Sequence, residues 1–420
     1  MINRFNFIKM DLDIFSFFDD EEESEVADIP PSREELANLV EQHNKNSVEV
    51  VPEYERSLER VILTFPRIGS IEETYGDFIL NCPEYTHFEV VISSKYKVRD
   101  LRVLFRQLGV SPERYSFYEQ EKGSHIELWA QDYTDVVTVN GKRKLLMGMN
   151  FEDIPFEVTG KNYQFLRRIN ARNELLKELL NEEELFQVPF FFEGGNMFFD
   201  TNGERLRVFV GYDSISKTQQ AYAWRDVNFS EEEIEKMMSA YFGGAEIIVM
   251  GYRPQPTEVF HLDLLFTILD DQTVVMRVPN QEETAFKAEV NYAKFLLSSM
   301  GYKIIEIPTT VERFEEYMSC VNGIPFVDKE TGVKKMMFPV YQEDFCDPLI
   351  YENPLEYFRN YPITEDDLTN EGLAAYRAFR EAGYEPIPVR NFTFDQKGSL
   401  HCITNVLAAI AEKDDGVEVV

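Results

Sequence analysis

The sequence is poor in cysteine, histidine and tryptophan, with 4 Cys, 5 His and 2 Trp among 420 residues. Cys82, Cys320, Cys346 and Cys402 have neither the density of a disulfide scaffold nor the close spacing of a zinc site. The histidines are too scattered to suggest a metal centre. Cysteines so few and unframed fit a reducing, cytoplasmic compartment. Basic residues are also scarce, 42 Lys+Arg against 75 Asp+Glu, for a net charge of −33. That balance speaks against nucleic acid and anionic membranes as partners and favours cationic ligands. No apolar run reaches the ~20 residues that cross a bilayer. The N-terminus is interrupted by Lys9, Asp11 and Asp13, so no secretory leader is expected. Nothing in the sequence fixes an oligomeric state.

What is abundant is apolar and aromatic: 44% hydrophobic residues, with 34 Phe and 21 Tyr. This is enough for a substantial core. Residues 1–50 read as an acidic, partly disordered extension. It carries the block Asp19 to Glu25, the pair Pro30-Pro31, and a short helix ending at His43 that Ser32 and Glu35 would open as a capping box. Residues 51–420 read as one α/β domain.

Within that domain a pattern recurs. A helical stretch ends at a glycine and leads into a β-rich run: Val98–Leu108 before Gly109, Glu231–Tyr241 before Gly243-Gly244, Glu283–Met300 before Gly301, and Gly372–Ala382 before Gly383. Glycine in this place is the usual C-terminal cap. A further copy without the glycine runs from Tyr163–Leu180 into Val188–Phe192. Three hairpins accompany the copies. They turn at Asn140-Gly141, Asn202-Gly203 and Asp270-Asp271, and Asn-Gly is a strong hairpin signal. Repeated units of helix, strand and hairpin stack or close into a ring. The expectation is a pseudo-symmetric α/β domain.

A polar cluster precedes each hairpin: Trp129-Ala-Gln-Asp132, Glu193-Gly-Gly-Asn196 and His261-Leu-Asp263. The last copy places Gly398-Ser-Leu-His-Cys-Ile-Thr404 at the corresponding point. Around a common axis these clusters converge on one end. Together they offer one thiol (Cys402), one imidazole (His261) and three carboxylates (Asp132, Glu193, Asp263). A cysteine nucleophile needs help to become a thiolate, and a histidine near neutrality can move protons. Carboxylates facing a planar guanidinium match its donors bidentately. The set suggests a cationic guanidino substrate attacked by sulfur.

In that order the four clusters resemble the guanidine-modifying superfamily, and most of all its agmatine deiminase and bacterial peptidyl-arginine deiminase branch. Pro52-Glu-Tyr-Glu55, Phe65-Pro66 and Phe338-Pro-Val-Tyr341 are similar to that branch as well. The resemblance covers roughly residues 50 to 410. It implies a five-bladed α/β propeller, the pentein fold, and hydrolysis of a guanidino group to a ureido group and ammonia without metal or cofactor. It also implies the roles. Cys402 would form a covalent thiouronium, Asp132 and Asp263 would grip the guanidinium, His261 would move protons, and Glu193 would orient His261. Trp129, Gln131 and Asn196 would complete the substrate-binding set. One departure is Gln131, where the agmatine branch usually has Arg. Agmatine or a related small guanidine ranks slightly above an arginine side chain in a peptide. A free-arginine enzyme would need a cation for the α-carboxylate, and Arg225, Arg253, Arg277 and Arg390 are available by type. An amidinotransferase and an inactive binding protein of the same fold are the other readings.

Overall fold

The computed structural model describes residues 33–43, 46–65, 71–93, 98–120, 129–149, 172–177, 184–202, 205–223, 226–251, 261–280, 287–341, 344, 358–391 and 399–407. The acidic block Asp19 to Glu25, Gly203, Arg225, Arg253, Cys346, Gly398 and most of Tyr163–Leu180 lie outside them.

The described strands form five sheets. Each contains the same core unit, an antiparallel strand pair followed by a parallel third strand. In one sheet Phe266–Ile268 runs antiparallel to Thr273–Pro279, and helix Lys287–Ser299 then carries the chain to the parallel strand Lys303–Thr309. The same order holds for Met197–Asn202, Arg205–Gly211 and Glu246–Met250. It holds for Ile324–Val327, Lys334–Val340 and Glu385–Arg390, and for Val136–Val139, Lys142–Met147 and Leu185–Gln187. The fifth sheet joins the two ends of the domain. Thr404–Val406 pairs antiparallel with Arg60–Phe65, which runs parallel to His87–Ser93 and through it to Tyr115–Gln120. Five such units, with Thr404–Val406 bonded to Arg60–Phe65, agree with the five-bladed α/β architecture that the family resemblance implies.

Local chemistry explains the punctuation. Asn140 (φ 52°) and Gly141 (φ 76°) both take the left-handed conformation that a two-residue hairpin turn requires. Gly109, Gly243, Gly301 and Gly383, at the helix ends, have φ between 65° and 92°. Apolar side chains from neighbouring sheets and their helices merge into large cores. One combines Phe209, Phe266, Met276, Phe338 and Phe379, another Phe190, Phe199, Tyr222 and Phe242.

Three expectations are corrected. The run Val188–Phe192 is not a strand; the strand is Leu185–Gln187. Val188 still donates to Met147, but Pro189 has no N–H to continue the ladder, and Phe190 to Phe192 bury into the core. A fourth hairpin, Ile324–Val340, was not among those expected; its strands are joined through residues 328–333 rather than by a two-residue turn. Finally, part of the presumed extension is built into the domain. Helix Arg33–His43 buries Leu36 in the same core as Ile234 and Met238, and Arg33 bonds Glu233 at 2.6 Å. Val48–Val50 adds a strand to the sheet of Val136–Val139.

Candidate active site

Three of the polar clusters fold as single 3-10 turns directly before the first strand of a sheet: Ala130–Tyr133, Gly194–Asn196 and Leu262–Leu264. The turns of residues 319–323 and 399–403 occupy the equivalent places. Neighbouring turns bond to one another. Gln131 N donates to Cys402 O at 3.1 Å, and Asn405 Nδ2 donates to Gln131 O at 3.2 Å. Leu262 N donates to Asn196 Oδ1 at 3.3 Å, and His401 N to Asn322 Oδ1 at 3.1 Å. Distant stretches of sequence thereby meet at one end of the domain.

The site so formed holds Cys402, His261, Asp132, Glu193 and Asp263 together. Cys402 Sγ donates to Asp263 Oδ2 at 3.3 Å. His261 Nε2 is 3.2 Å from Glu193 Oε2, and its Nδ1 is 3.6 Å from Asp132 Oδ1. Gly195 lies between the two halves. A methyl group there would sit 2.8 Å from Asp263 Oδ2 and 3.2 Å from His261 Nδ1, so only glycine leaves both atoms in place. Gly194 is equally confined, because its methyl would meet Gln131 O at 2.1 Å. All three carboxylates and the thiol are buried, while His261 keeps part of its edge exposed.

Residues not anticipated complete the electrostatics. Arg172 lies 3.6 Å from Asp132 and 3.5 Å from Glu193, and Lys217 lies 3.3 Å from Glu193. His401 bridges Asp263 Oδ2 at 2.9 Å and Glu53 Oε1 at 3.0 Å. Asn322 Nδ2 points at Cys402 Sγ from 3.3 Å, and its Oδ1 accepts from the N–H groups of both His401 and Cys402. Asn322 was findable, since it precedes a strand as Asn196 does. Glu53 and His401 sat inside quoted motifs without a role. Arg172 and Lys217 carry no local signal at all.

The anticipated binding residues divide. Trp129 lies partly buried beside the turn of Asp132. Gln131 is buried and its Nε2 donates to Glu53 Oε1 at 3.3 Å. Asn196, 1% exposed, holds the backbone between His261 and Asp263 rather than facing open space. Arg277 and Arg390 are engaged inside the fold, Arg277 on Leu264 O and Met318 O, Arg390 on Asp77 and Tyr361 O.

Four carboxylates (Glu53, Asp132, Glu193, Asp263) thus face four cationic groups (Arg172, Lys217, His261, His401). Burial works against a charge on His261, but Asp132, Glu193 and Asp263 outweigh it and raise its pKa to about 9. Burial likewise raises Asp132 to about 7, against the pull of His261 and Arg172. Burial also opposes the charge on Glu193, yet Lys217, His261 and Arg172 hold it well below the ordinary value. The Cys402 thiol is driven well up by burial and then by Asp263 and Asp132. At neutral pH the resting site therefore pairs a neutral thiol with a protonated imidazole. Asp132, Glu193 and His261 each bring a ligand-type atom within 4.8 Å of the others, the one such group among the described residues. Arg172 and Lys217 lie against the two carboxylates of that group.

A profile of the Porphyromonas-type peptidyl-arginine deiminases matches residues 50–407. The chain belongs to that family. It is accordingly a hydrolase of the class acting on carbon–nitrogen bonds of linear amidines. Solved structures share its fold. An agmatine deiminase of C. jejuni is 18% identical with a TM-score of 0.58, over 87% of this chain and 98% of that one. The agmatine deiminase of Enterococcus faecalis is 15% identical with a TM-score of 0.56, over 86% and 96%. No curated protein is significantly similar in sequence. The fold is thus the pentein expected from the motifs.

Proposed function

We propose that the protein hydrolyses the guanidino group of a cationic substrate to a ureido group and ammonia, with Cys402 as nucleophile. One observation carries the reading: the thiol donates to Asp263 in a buried site whose other carboxylate, Asp132, faces the His261–Glu193 pair. In the resting site a thiolate would face two negative charges. A guanidinium gripped by Asp132 and Asp263 brings the missing positive charge beside the sulfur, so thiolate formation becomes charge-neutral.

The sulfur then bonds to the guanidinium carbon and one C–N bond breaks. The thiol proton passes to solvent and His261 protonates the departing nitrogen, so ammonia leaves, a cationic thiouronium remains and His261 is left neutral. Water attacks next. His261 accepts its proton, the C–S bond breaks, and the sulfur is reprotonated. The products are a urea, the free thiol and one proton, which the ammonia takes up as ammonium. Glu193 holds His261 at Nε2 throughout, as the third member of a nucleophile–base–orienter set does.

For the substrate, a small guanidine of the agmatine type is the first choice. The solved agmatine deiminases share the fold over nearly their full length, and Arg277 and Arg390 are engaged elsewhere instead of offering an α-carboxylate partner. The family profile supports arginine in a peptide as the second reading. Incubation with agmatine, arginine and an arginine peptide, followed by colorimetric assay for ureido product, tests both, with Cys402→Ala as control. Absence of ureido product and ammonia from every guanidine sinks the proposal.

A further inference from the structure

Asp263 is used unevenly. Its Oδ2 accepts from His401 Nδ1 at 2.9 Å and from Cys402 Sγ at 3.3 Å, whereas its buried Oδ1 has no hydrogen-bond partner among the described residues. A buried carboxylate oxygen without a donor is costly, and in a binding site it is the place where a ligand's N–H belongs. Which oxygen faces the substrate depends on what fixes the carboxylate plane.

We propose that His401, the residue before the nucleophile, is the positioning residue for Asp263: tied at one ring nitrogen to Glu53 and at the other to Asp263, it locks one carboxylate oxygen and leaves the second aimed at the cationic substrate. This rests on the deiminase reading of the site. His401 is suited to the task because both ring nitrogens are engaged, Nε2 on Glu53 Oε1 at 3.0 Å and Nδ1 on Asp263 Oδ2. It has no nitrogen left to take a proton from substrate or water, which separates it from His261. Its surroundings are fixed in turn. Glu53 also accepts from Gln131 Nε2 at 3.3 Å, Asn322 accepts from the His401 backbone N–H, and the Phe198 ring packs 6.3 Å away, centroid to centroid. Glu53, Asp263 and Cys402 are the titratable groups in direct reach, with Arg56 beyond Glu53. Burial disfavours a charge on the ring, but Glu53 and Asp263 prevail and raise its pKa to about 10, so both nitrogens donate at neutral pH. Glu53 comes from the turn Glu53–Glu55 at the start of the domain, and His401 from its end. The ring closure of the fold thereby sets the aim of a substrate-gripping carboxylate.

The test compares a cationic and a neutral alkylating agent on the full chain. The rates at which 2-chloroacetamidine and 2-chloroacetamide modify Cys402, read by mass, give a charge-selectivity ratio that needs no turnover. The wild type should favour the cation. In His401→Ala the ratio should fall by at least about tenfold, as loss of an aligned charge-assisted contact predicts, while the rate with the neutral agent changes little. His401→Asn, whose side-chain N–H can still reach Asp263, should recover most of the ratio. For guanidine turnover, KM should rise more than kcat falls. Glu53→Ala should move the ratio in the same direction and replaces His401→Ala if the latter fails to fold. A ratio within about twofold of wild type in the folded variants overturns the proposal. A wild type that makes no ureido product would overturn the deiminase reading instead, and the ratio would still decide the role of His401.

Discussion

The sulfur of Cys402 lies 3.3 Å from Oδ2 of Asp263, so the thiol rests against an anion rather than a cation. Most activated cysteines are prepared by a positive neighbour. On the proposed mechanism the substrate brings that charge, and the thiol waits protonated.

An opposite-sign prediction follows for Asp263→Asn. Removing the anion should lower the thiol pKa and raise the thiolate fraction, because burial, Asp263 and Asp132 are what drive it up. Alkylation of Cys402 by neutral iodoacetamide at pH 7 should become about tenfold faster, as a pKa drop of one unit gives. Guanidine turnover should fall by about a hundredfold or more, since the substrate loses a partner. Slower alkylation in the variant would mean that Asp263 promotes the thiolate.

The pH dependence of kcat/KM should be bell-shaped. In the proposed mechanism Asp132 is ionised to grip a guanidinium, and burial first, with Glu193, raises it to about 7 against His261 and Arg172. In the proposed mechanism His261 is protonated to release ammonia, and the carboxylates around it overcome burial to hold it at about 9. Activity should rise as pH increases through about 7 and fall above about 9. These groups are coupled, so the two limbs belong to the ensemble of Asp132, Glu193 and His261. A profile flat from pH 5 to 10 would contradict the roles of both.

Gly195→Ala isolates geometry from charge. The added methyl would lie 2.8 Å from Asp263 Oδ2 and 3.2 Å from His261 Nδ1, and one of the two must shift. A displacement on the order of 1 Å in such a site costs about a hundredfold in rate. Turnover should fall by that order, with the melting temperature changed by only a few degrees. Wild-type kcat/KM in the variant would show that the two groups need not be held together.

Much of this was legible in the sequence where chemistry and repeat coincide. Asn140-Gly141 and the post-helix glycines announce turns because their φ values admit few other residues. Cys402, His261, Asp132, Glu193 and Asp263 could be grouped because each precedes a strand in a copy of one unit, His261 and Asp263 in the same copy. What escaped has a physical reason too. Phe190 to Phe192 are buried as strand residues would be, yet Pro189 interrupts the ladder. Arg172 and Lys217 act from the stretch 172–177 and the helix Tyr212–Ala223, outside the strand-preceding turns, so repeat logic could not place them. The pairing of Glu53 with His401 spans 348 positions and appears only once the ring closes.

Asp132→Asn should separate activity from stability. In the folded protein the Asp132 carboxyl titrates at about 7, raised by burial, against an ordinary 3.8. A raised acid binds its proton more tightly when folded, so protonation stabilises the fold. That contribution is complete below about 4 and is lost as pH climbs to 7. Asparagine cannot ionise and does not incur the loss. Below about pH 4 the variant and the wild type should melt together, since Asp132 is then neutral in the folded and the unfolded state alike. At pH 8 the variant should melt at the same temperature or higher, while guanidine turnover is reduced about a hundredfold or more. His261 has the same pH sign at higher pH, but there it is the charged form that the fold favours. Its raised pKa stabilises the fold fully below 6.5 and ceases to do so as pH passes 9, and Asp132 is one of its supports. A variant that melts several degrees below wild type at pH 8 would show that this support, with Arg172, outweighs the cost of the buried charge. Asp132 would then be a structural anion, and its part in gripping substrate would have to be established separately.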